Sequence, residues 1–182
     1  GLAKASSSAY EFDKAMTKIT TQVGISREEV NKMRGDIIRM SEQYGVSATE
    51  LAGAMWTIQS GNLRGAEAME ALEVASKMAS IGMGDANTNA QALTSTLNAY
   101  SASGLKAGEA GNIVADTIKY GQVPASDMSE VMGDLVDLSS QLGFSFRDLG
   151  GGISALSQTT TNCSKITTQF KNIMTQMIKP SA

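Results

Sequence analysis

The stretch Gly45-Val46-Ser47-Ala48-Thr49-Glu50-Leu51-Ala52-Gly53-Ala54-Met55 constrains this chain more than any other. It closes one helix and opens the next within a few residues. Gly45 can take the positive φ that ends a helix, and Val46 can pack back on the incoming one. The Ser47 side chain can accept the N–H three residues on, while Glu50 can reach back to the N–H of Ser47. The same punctuation returns at Gly24-Ile25-Ser26 with Glu29 and at Gly143-Phe144-Ser145 with Asp148. Looser copies stand at Gly104-Leu105-Lys106 and at Gly121-Gln122-Val123-Pro124-Ala125-Ser126. The marks recur about every twenty residues, the span of a mid-length helix plus a tight connection.

Between the marks the apolar residues step by three and four, the period of a helix with one buried face. The first helix is expected from Ala3 to about Gln22, with Tyr10, Phe12, Met16 and Ile19 inward. The second covers Ser26 to Tyr44, on Val30, Met33, Ile37, Met40 and Tyr44. The third starts at Ser47, carries Leu51, Met55 and Ile58, and stops at Ser60-Gly61-Asn62. The fourth runs from about Arg64 to Ile81 on Ala68, Leu72, Ala75 and Ala79, with Glu67, Glu70 and Glu73 outward and Lys77 one turn beyond Glu73. The fifth follows from about Asn87, with Ala90, Leu93, Leu97 and Tyr100 inward, and the sixth covers Lys106 to Tyr120 on Ala110, Val114 and Ile118. The seventh covers Ser126 to Leu142 on Met128, Met132, Leu135, Leu138 and Leu142. The eighth starts at Ser145, with Leu149, Ile153 and Leu156, and the last covers roughly Cys163 to Lys179 on Ile166, Phe170, Ile173 and Met177. No run alternates in the manner of a strand. The expectation is therefore an all-α fold, an array of about nine amphipathic helices in a single domain whose stripes form one core.

Composition supports this. Much of the 42% hydrophobic share is Ala and Met, and aromatics are only 5%, which favours closely approaching helices over a bulky core. Two prolines in 182 residues also favour helix. A net charge of −3 argues against a nucleic-acid surface as the main business. One cysteine, Cys163, allows no internal disulfide. No apolar run approaches the roughly 18 residues a membrane span requires. The small, polar opening, Gly1 to Ser8, and the abrupt Pro180-Ser181-Ala182 read as the ends of a piece cut from a longer chain.

The chemistry-like motifs are weak. With no histidine, the commonest general base and metal ligand is missing. Asp85-Ala86-Asn87-Thr88-Asn89 opens like a calcium loop, but Ala90 stands where the loop needs glycine and Thr96 where it needs an acid. It reads better as a helix N-cap. Gly82-Met83-Gly84 is half a dinucleotide fingerprint with no strand before it, and Gly150-Gly151-Gly152 lacks the Lys-Ser/Thr of a phosphate loop. The three glycines are better explained by a neighbouring helix passing close. Asp134 and Asp137 read as a solvated face. Cys163 reads as a passive thiol, with Lys165 placed to favour the thiolate slightly. The eleven methionines read as core filling, and Trp56, off the main stripe, as half exposed. This reading names no catalytic, cofactor-binding or metal residue.

The order of motifs resembles the core region of phage tail tape measure proteins. The resemblance runs from Tyr10-Glu11-Phe12-Asp13-Lys14-Ala15-Met16 through Gly45 to Met55. It continues through Gln91-Ala92-Leu93-Thr94-Ser95-Thr96-Leu97-Asn98-Ala99-Tyr100, Ala115-Asp116 and the helix after Ser126. It departs at Thr159 to Lys165, where the family is richer in glycine. It implies that residues 1–9 are a flexible or helical lead-in from a longer chain and 10–182 a helical core module of a phage or prophage tape measure protein. It further implies a non-catalytic role in tail assembly and tail-length determination inside the tail tube. The implied partners are the tail tube protein and tail assembly chaperones, with self-association a further option. No sequence-specific nucleic-acid binding is implied. The implied location is the virion tail lumen, and the host cytoplasm during assembly. The alternative is an intracellular helical adaptor that binds a partner helix through a Met-lined groove. In either case Leu135→Asp is expected to destabilise the fold by several kcal/mol by burying an unpartnered charge; a urea melt unchanged from the parent would place Leu135 on the surface instead.

Overall fold

The computed structural model describes residues 2–178, with side chains from 8 to 177. The expected helix end at Lys179 and the stop at Pro180 lie outside the described residues. Within them there are nine α-helices and no strand, as the periodicity requires. They are α1 (Leu2–Lys18), α2 (Arg27–Tyr44), α3 (Ala48–Ser60), α4 (Gly65–Ser80), α5 (Ala86–Ala99), α6 (Ala107–Tyr120), α7 (Ala125–Gln141), α8 (Phe146–Ser157) and α9 (Cys163–Ile178). A single π-helical turn, Ile19–Val23, prolongs α1, and a 3₁₀ turn, Ser101–Ser103, follows α5.

The joints behave as the sequence demands, with instructive exceptions. Gly24, Gly45 and Gly143 all have φ between 69° and 79°. Ser26, Ser47 and Ser145 each accept the N–H three residues on, at 3.1 to 3.2 Å. Only Ser145 completes the reciprocal box, its own N–H donating to Asp148 Oδ2 at 3.0 Å. Glu50 does not reach back to Ser47. Its Oε1 instead accepts the Ala86 N–H at 2.8 Å and so satisfies the first turn of α5. At Ser60-Gly61-Asn62 the left-handed residue is Asn62, with φ 73°. Gly61 supplies space, because a Cβ there would overlap Thr94 Cγ2. Gly121 is likewise a spacer in extended backbone: a Cβ would lie 2.6 Å from the Thr117 carbonyl. The expected serine cap at Ser126 is replaced by a start at Ala125 after Pro124, with the Ser126 hydroxyl donating to Asp127.

Where the sequence suggested one core, the contacts divide the chain into two compact units. The first holds the chain up to Ile81 together with Asp85–Thr94; the second holds Gly82–Gly84 and the chain from Ser95. The stripe of α5 is thus divided between two sets of neighbours, which no periodicity could announce. In the first unit α3 is central, meeting α1, α2, α4 and the π turn. Its Leu51, Ala52, Ala54, Met55 and Ile58 are fully buried, and the two alanines let those neighbours approach. In the second unit α8 packs on α6, α7 and α9. Leu135, Leu149, Ile153, Ile166 and Met174 are fully buried there. The Tyr100 and Phe146 rings tilt against each other at 5.6 Å, and the Tyr100 hydroxyl donates to Ser139 Oγ at 3.0 Å.

Two stripe ends are corrected. Tyr10, expected inward, is 66% exposed, since it lies two residues, nearly opposite on a helix, from buried Phe12. In α9 the buried line is Ile166, Phe170 and Met174, and Ile173 (44%) and Met177 (64%) face outward. Met40, Tyr44, Ala79, Ile118, Leu138, Leu142 and Leu156 are half-buried rather than core. All methionines except Met40, Met69 and Met177 are buried, so core filling is their main use.

The glycines of α8 do what close packing needs. A Cβ on Gly150 would lie 2.5 Å from Thr117 Oγ1 of α6, and one on Gly152 would overlap the Phe170 ring of α9, while Gly151 faces open space. The same substitution should therefore have opposite signs one residue apart. Gly151→Ala is expected to stabilise by up to about 1 kcal/mol through helix propensity, and Gly152→Ala to destabilise by about 1–3 kcal/mol, with partial rescue by Phe170→Leu. Urea unfolding of the three variants checks this; equal effects at 151 and 152 would contradict the packing described.

Candidate functional site

The motifs that resembled chemistry are all absorbed by structure. Asp85 caps α5: its carboxylate accepts from the Thr88 N–H and from the Thr88 hydroxyl, each at 2.8 Å. Those hydrogen bonds hold its carboxyl below the usual range. Gly82 and Gly84 have φ of 86° and 82° and turn the chain around buried Met83. Asp134 and Asp137 are exposed on α7. Among the described residues no three Asp, Glu or Cys side chains gather closely enough to hold a metal ion. No described helix is long and apolar enough to cross a membrane.

Cys163 departs from its expected environment. Lys165 was expected to favour the thiolate, but the sulfur lies half-buried, 3.5 Å from Asp127 Oδ2. Burial first, and the Asp127 carboxylate second, push the thiol up, so the protonated form is favoured.

Other polar contacts tie the helices of the first unit together. The Tyr44 hydroxyl donates to Glu73 Oε1 at 3.0 Å, and Lys77 Nζ stands 2.9 Å from the same oxygen. Lys77 and then Tyr44 hold the Glu73 carboxyl low, while burial and then Glu73 push Tyr44 up. Trp56 is half-buried as expected, with Lys18 Nζ 3.6 Å from the ring centroid, an exposed-site cation–π contact worth about 0.5–1 kcal/mol. Arg34 pairs with Asp13 and joins α2 to α1.

What the sequence reading passed over is a polar residue on an apolar stripe. Gln59 follows Ala52 and Met55 at helical spacing, which is the signal that could have found it. It is 1% exposed. Its Nε2 donates to Met33 Sδ at 3.2 Å, while its Oε1 is buried with no hydrogen-bond partner. Gln59 lines a cleft of about 220 Å³ between α2, α3 and the start of α4, floored by Ile25, Met33 and Met69. A second cleft of about 250 Å³ lies between α6 and α8, where Gly150 and Gly151 leave the wall open beside Tyr120. Each cleft lies between helices of one unit.

Comparison with known proteins follows the same direction. The family described as phage-related minor tail protein matches residues 34–182, well over half of the chain. The chain is 24% identical over 171 residues to the tape measure protein of Pneumococcus phage Dp-1, covering 94% of this chain and 15% of that protein. It is 21% identical over 183 aligned positions to a probable tape measure protein of Clostridium phage phiCD119, covering 98% of this chain and 19% of that protein. It therefore spans less than a fifth of the length of these curated relatives. No solved structure matches it.

The thiol environment gives a direct test. Alkylation of Cys163 by iodoacetamide in the folded protein is expected to be slower than that of a free model thiol between pH 7 and 9, because a raised pKa lowers the thiolate fraction. Asp127→Asn removes a raising influence and should speed alkylation; an unchanged rate would show that burial alone controls the thiol.

Proposed function

Because this chain belongs to the family of phage-related minor tail proteins, we propose that it is a non-catalytic structural module of a tape measure protein. The observation that carries this reading is the asymmetry of coverage: nearly all of this chain aligns with less than a fifth of each tape measure relative. That is the relation of a folded segment to a long chain. The two helical units support it physically. Their small-residue packing and helix caps give rigid parts whose surfaces act by shape and charge.

On this reading the module works during tail assembly, with the tail tube protein and tail assembly chaperones as partners. The parent chain sets tail length from inside the tail tube. The module meets these partners first in the host cytoplasm and afterwards in the tail lumen. In-frame removal of the codons for residues 10–182 from the full gene of the source phage tests it. Electron microscopy is expected to show tails absent or altered in length, with loss of infectious particles. Tails of native length at an unchanged titre would overturn the proposal.

A further inference from the structure

Beyond the tail role, and independently of it, we propose that the polar strip between α1, the π turn and α2 of the first unit binds the phosphate backbone of a single-stranded nucleic acid, without reading its sequence. The inference starts from helical spacing. Tyr10, Lys14, Thr17, Lys18 and Thr21 recur every three or four residues along α1 and the π turn. That period puts them on one face. Arg27, Asn31 and Arg34 do the same on α2. The fold sets the two faces side by side. A hollow of about 340 Å³ between them is lined by Thr17, Thr20, Thr21, Arg27, Asn31 and Arg34, over buried Met16 and Val30. A more open hollow on α1 shares Thr17 and Thr21 with it and adds Tyr10, Lys14 and Lys18.

The two hollows carry one sign of charge in excess. Four cations, Lys14, Lys18, Arg27 and Arg34, stand against one acid, Asp13, and Arg34 is paired with that acid. Among the described residues Lys14 and Arg27 form no ion pair, and the Lys18 ammonium lies over the Trp56 ring and not beside a carboxylate. The acids flanking Arg27 are engaged elsewhere, Glu28 by Lys32 and Glu29 by the Ser26 cap. Glu11 lies outside both hollows. Three cations are thus uncompensated, and the net charge of −3 belongs to the chain as a whole, not to this strip. Thr20 and Asn31 add side-chain donors that no group of the described chain engages.

Guanidinium, ammonium, hydroxyl and amide donors together fit oxyanions. They fit a row of them better than one, because Arg27 and Arg34 stand two helix turns apart, about 10 Å. Tyr10 decides between a row of phosphates and a row of carboxylates. It is 66% exposed, one turn from Lys14 at the end of the cationic row. An unpaired base stacks on such a ring while the backbone follows the cations. An acidic peptide has no use for it. Stacking and phosphate contacts carry no base identity, so the binding is indifferent to sequence.

The experiment is fluorescence anisotropy on the 182-residue chain. The probe is a fluorescein-labelled oligothymidylate of about twelve nucleotides, with labelled polyglutamate of the same length as the comparison. The oligothymidylate is expected to bind saturably and about tenfold more tightly than polyglutamate. Its affinity should fall about twentyfold as salt rises from about 50 to about 200 mM, because three cations release counterions from a single strand. Arg27→Gln should reduce that fall to about sevenfold, one contact fewer. Tyr10→Ala should weaken binding about fivefold or more, the loss of one stacked base. Lys165→Gln removes an exposed cation of α9, outside the strip, and should leave binding unchanged. Tyr10, Arg27 and Lys165 are all exposed, so the three variants keep the melting midpoint. Absence of saturable binding, equal binding of polyglutamate, an unchanged salt response in Arg27→Gln, an unchanged affinity in Tyr10→Ala, or an equal loss in Lys165→Gln would each overturn the proposal. No tail component enters the readout, so its failure leaves the assembly role standing.

Discussion

Everything in this chain depends on how a helix can stop and another begin within three residues without leaving backbone groups unmet. A helix end exposes carbonyls and the next start exposes N–H groups, and burying either without a partner is costly. A glycine with positive φ answers the first need; at Gly45 it lets the N–H return to the Ser41 carbonyl. A serine two residues later answers the second. Repeated at Gly24, Gly45 and Gly143, this solution folds the chain back on itself with almost no loop. Each cap contributes about 1 kcal/mol, and together they fix where the apolar stripes begin.

Short joints force helices together, and closeness then becomes a matter of volume. Ala52 and Ala54 on α3 and Gly150 and Gly152 on α8 are the residues that permit it. Each unit is built around one such helix. Aromatics are few because there is little room for them; where one enters, as Phe170 does against Gly152, the opposing residue has no side chain at all.

Four carboxylates are spent on this architecture. Asp85, Asp148 and Glu50 satisfy helix starts, and Glu73 joins α2 to α4 through Tyr44. Fixed donors hold the Asp85, Asp148 and Glu73 carboxyls below the usual range, which makes these three poor proton carriers at neutral pH. These carboxylates serve the joining of helices in a chain that belongs to the phage-related minor tail proteins.

By itself the sequence determined the helices, their joints and the helical class, because those follow from local spacing, glycine φ and serine capping. It also determined that Gly150 and Gly152 mark close approach and that Asp85 is a cap. The tertiary structure decided what depends on distant neighbours. Glu50 turned from its own cap to the start of α5, because an unmet N–H at Ala86 lay within reach. Gly61 and Gly121 became spacers, because Thr94 and the Thr117 carbonyl occupy the space a Cβ would fill. The α9 stripe shifted to Met174, and the α5 stripe was divided between two units. The cleft at Gln59 was illegible for the same reason: a one-dimensional pattern shows that a polar residue lies on a buried face, but only packing leaves its oxygen without a partner.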